Sequence, residues 1–122
     1  MANILVVDDD VNNRLLLRLV LEHAGYDIME ASDGGEALAN AHASKPDLII
    51  MDLHMPGVDG VAFINALRED KTLADTRVAL YTATASDESM RQFMELTGIG
   101  SIIEKPSEPP RILAAVEAAL RT

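Results

Sequence analysis

Cysteine is absent from the 122-residue chain, which excludes a disulfide framework, thiolate chemistry and a zinc finger, and fits a reducing compartment. Basic residues are scarce: 10 Lys and Arg stand against 20 Asp and Glu, for a net charge of −10. Phosphate contacts need clustered Lys and Arg, so direct binding to nucleic acid or anionic lipid is disfavoured and a protein partner is expected. No apolar run approaches the roughly 20 residues that span a bilayer. The opening MANILVV has no basic leader, so it does not read as a signal peptide. Repeats, low-complexity tracts and linkers are missing as well. The expectation is one soluble, cytoplasmic domain over residues 1–122, long enough to bury a substantial core and too short for two.

What the chain does contain is alternation. Short apolar runs at Ile4 to Val7, Tyr26 to Ala31, Leu48 to Met51, Val78 to Thr82 and Ser101 to Glu104 are separated by longer segments with helical spacing. Five strands alternating with helices imply an α/β fold, a parallel sheet covered on both faces. The first helix places Arg14, Arg18 and Glu22 on one face and Leu15, Leu16, Leu19 and Val20 on a wide apolar side, and it ends at Gly25. Asp33 and Glu36 have capping-box spacing before a helix over Ala37 to Ala43, which stops at Lys45-Pro46. Further helices are expected over Gly60 to Glu69, Asp87 to Thr97 with Ser86 as N-cap, and Pro110 to Arg121.

In a parallel sheet the loops at the carboxyl ends of the strands share one crevice, where ligands bind. The residues ending the strands are therefore the candidates for chemistry. Strand one ends in Asp8, Asp9 and Asp10, strand three in Asp52, strand four in Thr82, and strand five in Glu104 and Lys105. Strand two ends in Ala31-Ser32, an unreactive pair that suits an edge strand. Two carboxylates about 4 Å apart repel by roughly 4 kcal/mol at an effective dielectric near 20, so such a cluster asks for a cation. Asp10 is read differently, as the N-cap of the first helix.

These residues carry a resemblance that spans nearly the whole chain. Asp8-Asp9 after strand one, Asp52 in MDLHMPGVDG, Thr82-Ala83 in YTATAS and Lys105-Pro106 in IIEKPS are together similar to the motifs of the bacterial response-regulator receiver domains. The resemblance implies a flavodoxin-like, doubly wound sheet of order 2-1-3-4-5 with five helices. It also implies a phosphorelay switch in two-component signalling: Asp52 takes a phosphoryl group from a sensor histidine kinase or histidine phosphotransfer protein, and the altered surface engages a downstream protein or output domain. On this reading the chain is a regulatory phosphoacceptor, with no enzymatic role beyond an intrinsic autophosphatase activity.

A positioned carboxylate is a competent nucleophile once its repulsion is relieved. Mg²⁺, which prefers hard oxygen ligands and keeps several waters, is the implied cofactor. Asp9 and Asp52 are expected as direct ligands, Asp8 directly or through water, and the backbone carbonyl of His54 by family analogy. Lys105, the Thr82 hydroxyl and the Ala83 backbone N–H are expected to hold phosphoryl oxygens. The formal charge of Asp8, Asp9, Asp52 and Lys105 together is −2, which one Mg²⁺ neutralises.

Two departures from the family pattern bear on output. Ile102 stands where many receivers carry an aromatic switch residue, and His54 and Thr84 occupy places linked to hydrolysis of the acyl phosphate. Candidates for a docking or homodimerising face are Ile102, Met90, Phe93, Met94, Leu113 and Leu120, although apolar residues at helical spacing usually belong to a core. Rival readings are a haloacid-dehalogenase-like phosphatase with Asp8 as nucleophile, and a pseudo-receiver scaffold whose acidic pocket is vestigial. An EF-hand fails, because Asn13 and Leu19 replace the required Gly and Glu.

Overall fold

The structure, a computed structural model, describes residues 2–52, 60–83, 88–105 and 107–121. Its elements follow in strict alternation: β1 (Asn3–Val7), α1 (Val11–His23), β2 (Asp27–Ala31), α2 (Gly34–Ser44), β3 (Leu48–Met51), α3 (Gly60–Glu69), β4 (Arg77–Thr82), α4 (Glu88–Thr97), β5 (Ser101–Glu104) and α5 (Pro109–Leu120). The five strands form one parallel sheet in the order β2-β1-β3-β4-β5. This is the expected doubly wound architecture, with β2 and β5 at the edges. No helix among the described residues is long and apolar enough to cross a membrane.

Alternation along the strands divides the core into two layers. Leu5, Val7, Ile49, Met51, Val78 and Leu80 point to the face covered by α2, α3 and α4, where Ala37, Ala41, Phe63, Ile64, Leu67 and Met90 meet them. Ile4, Val6, Leu48, Ile50, Ala79, Tyr81 and Ile103 point to the opposite face, against Leu17 and Leu21 of α1 and Ile112, Val116 and Ala119 of α5. Central strands are thus apolar on both faces, which is why β1 and β3 read as unbroken hydrophobic runs. Fully burying each Leu or Ile contributes about 1.5–3 kcal/mol.

The face of α1 corrects the sequence reading. Leu17 and Leu21 are its buried residues, whereas Leu15, Leu16 and Leu19 are exposed and Val20 is half-buried. Apolar residues surround this helix almost completely, so periodicity alone cannot orient it. Ion pairs decide the rotation: Arg14 Nε lies 3.2 Å from Glu30 Oε1 on β2, and Arg18 Nη1 lies 2.7 Å from Glu30 Oε2. Glu22 reinforces this by accepting from Arg18 Nε at 3.1 Å. The consequence is an outward stripe of Val11, Leu15 and Leu19, four residues apart, with Leu16 beside it.

Helix ends follow local chemistry. Asp10 is the N-cap of α1, accepting from the Asn12 N–H at 2.8 Å, and Asp33 caps α2 by accepting from the Glu36 N–H at 2.8 Å. Capping at Asp33 starts α2 at Gly34, three residues before the apolar pattern begins. Lys45 ends α2 in the left-handed region at φ 46°, immediately before Pro46. α5 begins at Pro109, one residue before the expected Pro110, since proline suits the first helical turn. Ser86 and Asp87 lie outside the described residues, and α4 is described from Glu88.

Candidate functional site

The candidate residues that the structure describes sit where a strand meets the carboxyl rim. Asp8 continues the β1–β2 ladder, its N–H donating to the Ala31 carbonyl at 3.1 Å, and its side chain turns inward to 4% exposure. Burial of a carboxylate is tolerated only with partners, and Asp8 has several. Oδ1 accepts from the Asp10 N–H at 2.9 Å, while Oδ2 accepts from Asn13 Nδ2 at 3.3 Å and Lys105 Nζ at 3.1 Å. Arg14 Nη1 donates to the Asp8 carbonyl at 2.6 Å, tying the first turn of α1 to the end of β1.

Asp52 follows the last residue of β3 and presents Oδ2 to the same ammonium at 2.8 Å. Lys105 therefore bridges two carboxylates from different strands, with its side chain only 16% exposed. Its backbone N–H donates to the Thr82 carbonyl at 2.9 Å, which extends the β4–β5 ladder and points the side chain across the rim. Burial opposes the charge on Lys105, but its hydrogen bonds to Asp52 and Asp8 outweigh that and hold the ammonium above its ordinary pKa. The Nζ also lies 5.1 Å from the centre of the Tyr81 ring. Thr82 is buried at 1% exposure, and Ala83 forms an exposed turn directly after it.

The predicted residues are thus not gathered equally. Asp8, Asp52 and Lys105 converge, and Thr82 joins them through the backbone of Lys105. Asp9 stands exposed on the rim, and His54 lies outside the described residues. Among the described residues no group of three or more His, Cys, Asp or Glu side chains is drawn together as a metal cage. Two carboxylates facing one shared cation nevertheless form a hard-oxygen donor set, and that chemistry fits a small divalent ion which keeps most of its waters. Sequence reading missed Asn13, Arg14 and Tyr81 as supports of the site. The first two were legible only as first-turn neighbours of Asp8, and Tyr81 only as the residue before Thr82.

The proposed docking residues largely belong to the interior. Met90 is buried, and Phe93, Met94 and Ile102 pack half-buried against the core on the α2, α3 and α4 face. Leu113 and Leu120 do the same against the α1 and α5 face. Large exposed apolar side chains lie instead at Val11, Leu15, Leu16 and Leu19 of α1, Val61 of α3 and Leu96 of α4. A separate cavity of about 480 Å³ opens at the opposite end of the sheet, lined by Arg68, Asp75, Arg77 and Gly98 among others.

Comparison with known proteins agrees with this geometry. The sequence model described as "Response regulator receiver domain" matches residues 4–117. The alkaline phosphatase synthesis transcriptional regulatory protein PhoP of Bacillus subtilis is 40% identical over 119 residues, 97% of this chain and 48% of that protein. The phosphate regulon transcriptional regulatory protein PhoB of Pseudomonas aeruginosa is 34% identical over 118 residues, 97% of this chain and 51% of its own length. The chain spans about half the length of the curated relatives it matches. Among solved structures, the Vibrio cholerae chemotaxis protein CheY4 superposes with a TM-score of 0.91 at 31% identity, covering 98% of both chains.

Proposed function

The chain belongs to the response regulator receiver domains, and from that premise we propose that Asp52 is the phosphoacceptor of a two-component switch. The observation that carries this reading is the pairing of Asp52 with Asp8 through Lys105 at the carboxyl rim. Asp52 is the better nucleophile of the two. Asp8 is the more deeply buried, its side chain 4% exposed against 13% for Asp52, so an incoming phosphoryl group reaches Asp52 more readily. That difference counts against the phosphatase reading in which Asp8 attacks. The donor set retained by Asp8, Asp52 and Lys105 counts against a vestigial pocket.

In the proposed reaction an Asp52 carboxylate oxygen attacks phosphorus, forming an O–P bond as the bond from phosphorus to the donor's imidazole nitrogen breaks. The departing imidazole takes that electron pair. Lys105 leaves its place between two carboxylates to meet a phosphoryl oxygen, which stabilises charge as it develops. The Thr82 hydroxyl and the Ala83 N–H are assigned to the other oxygens. Asp8, Asp9, Asp52 and the His54 carbonyl would hold Mg²⁺, which supplies neutralising charge at the acidic rim and on the incoming phosphate.

Donor and output follow from the surface. A protein carrying phosphohistidine must reach the rim, and the stripe of Val11, Leu15 and Leu19 starts directly beyond Asp8 to Asp10. We assign this stripe to the sensor kinase or phosphotransfer protein, with a cytoplasmic location following from such a partner. The downstream partner is a protein or an output domain; PhoP and PhoB, both transcriptional regulatory proteins by name, are about twice as long as the stretch this chain matches. The test is incubation with acetyl phosphate and MgCl₂, read by intact mass. Wild-type protein gains one phosphoryl group, EDTA abolishes the gain, and Asp52→Asn does not gain it. Undiminished phosphorylation of Asp52→Asn contradicts the proposal.

A further inference from the structure

Tyr81 has no part in the reaction just described, yet its environment is specific. It is the penultimate residue of β4 and is buried at 2% exposure among the side chains packed between the sheet, α1 and α5. A tyrosine at that depth needs a partner for its hydroxyl. The backbone N–H of Ser107 supplies it, two residues beyond Lys105. The Ser107 hydroxyl in turn donates to the Glu104 carbonyl, closing the backbone around Lys105. The ring face lies under the Lys105 ammonium, 5.1 Å from Nζ to the ring centre, within the range of a cation–π contact. Tyr81 thus meets both the head group of Lys105 and the loop that follows it.

We propose that Tyr81 is a positioning residue for Lys105, its ring face confining the ammonium to the crevice between Asp8 and Asp52. This rests on the reading of Asp52 as phosphoacceptor and adds a residue to it. Lys105 carries a long flexible stem whose rotamer freedom must be given up to reach a phosphoryl oxygen. A ring beneath the ammonium keeps it near the attacked phosphorus without competing for its three N–H donors, because attraction to a π face uses charge and not a hydrogen-bond acceptor. Asp8 and Asp52 hold the ammonium in the resting protein. Tyr81 continues to hold it when phosphate draws it away from them.

The test compares Tyr81→Phe, which keeps the ring, with Tyr81→Leu and Tyr81→Met, which remove it, each in wild-type and Lys105→Ala backgrounds. Two signals are read: the proton shift of the Lys105 ε-methylene by NMR, and the rate of Asp52 phosphorylation by acetyl phosphate in saturating MgCl₂. The ring moves the ε-methylene protons upfield in wild type and Tyr81→Phe, and that displacement disappears without the ring. Phosphorylation slows by about 2- to 30-fold in Tyr81→Leu and Tyr81→Met, the span of a partly desolvated cation–π contact. Tyr81→Phe stays close to wild type, and in the Lys105→Ala background loss of the ring adds no further slowing. Equal slowing in both backgrounds, or a Tyr81→Phe rate as low as that of Tyr81→Leu, overturns the proposal. So does a wild-type ε-methylene shift equal to that of a lysine in an unstructured peptide, a measurement that needs no ringless variant to fold. If Asp52 acquires no phosphoryl group in any variant, the phosphoacceptor reading fails by itself, and the NMR comparison still decides whether Tyr81 holds Lys105.

Discussion

Replacing Lys105 by methionine removes the cation between two carboxylates while keeping most of the apolar stem. Lys105 Nζ lies 3.1 Å from Asp8 Oδ2 and 2.8 Å from Asp52 Oδ2. The two oxygens can be no further apart than the sum of those distances, about 5.9 Å, at which they repel by about 3 kcal/mol at an effective dielectric of 20. Removing one partner of a buried pair costs roughly 3–5 kcal/mol on independent grounds, chiefly because charge is left unpaired. The expected loss in Lys105→Met is therefore about 3 kcal/mol in EDTA, measured by urea denaturation at pH 7. Two additions should restore it. Millimolar MgCl₂ supplies the missing positive charge and stabilises the variant more than wild type. Asp8→Asn in the same chain removes the repulsion and recovers most of the loss. A Lys105→Met protein as stable as wild type in EDTA, or one whose deficit ignores both magnesium and Asp8→Asn, would refute the charge balance argued for the site.

Leu15→Glu and Leu19→Glu alter exposed positions of α1, so stability should shift by no more than about 0.5 kcal/mol. Transfer from a phosphorylated histidine kinase should fall at least about 10-fold while labelling by acetyl phosphate is unchanged, since about 1.4 kcal/mol of docking is one decade. Equal slowing with both donors would remove the docking assignment. At the far end of the sheet, Arg68 donates Nε to the Thr97 carbonyl at 2.8 Å and Nη1 to the carbonyls of Ala74 and Thr76 at 2.9 and 2.6 Å. Arg68→Ala orphans three acceptors, and a loss of about 2–4 kcal/mol in urea denaturation is expected with phosphorylation intact. Asp70 accepts from the Thr72 hydroxyl and N–H and faces His42 Nε2 at 2.9 Å, interactions that hold its carboxyl below the ordinary 3.8. A depressed carboxylate contributes stability above its unfolded pKa and loses it as pH falls through the folded value. The stability difference between wild type and Asp70→Asn should therefore be present at pH 7 and close below about pH 4. A gap that widens in acid would contradict the assignment.

The rim was readable in the sequence because a parallel sheet delivers every strand's carboxyl end to one side. Once Asp8, Asp52, Thr82 and Lys105 were seen to end strands, their common edge followed from topology. Strand β3 over Leu48–Met51, strand β5 over Ser101–Glu104 and helix α3 over Gly60–Glu69 lie where the apolar runs place them. The orientation of α1 did not follow from pattern, because Leu15, Leu16 and Leu19 are as apolar as Leu17 and Leu21. It depends on Arg14 and Arg18 finding Glu30 on a strand that local sequence does not bring near. The same reason hid the support of Asp8 by Asn13 and of Lys105 by Tyr81. Both contacts depend on side-chain direction after packing, whereas sequence spacing reports only which residues share an element. Met90, Phe93 and Met94 on α4 were candidates for a docking face, although apolar residues at helical spacing usually belong to a core. Packing draws Met90 fully, and Phe93 and Met94 partly, into the core and leaves Leu96 outside.

The central claim is that the carboxylate of Asp52, and not that of Asp8, forms the bond to phosphorus. Acyl phosphates are reduced by sodium borohydride, which converts the modified aspartate to homoserine and marks its position permanently. After treatment with acetyl phosphate and MgCl₂, reduction and peptide mass spectrometry should find homoserine at position 52 alone in wild type. Homoserine at position 8, or at position 8 and not 52, would contradict the account.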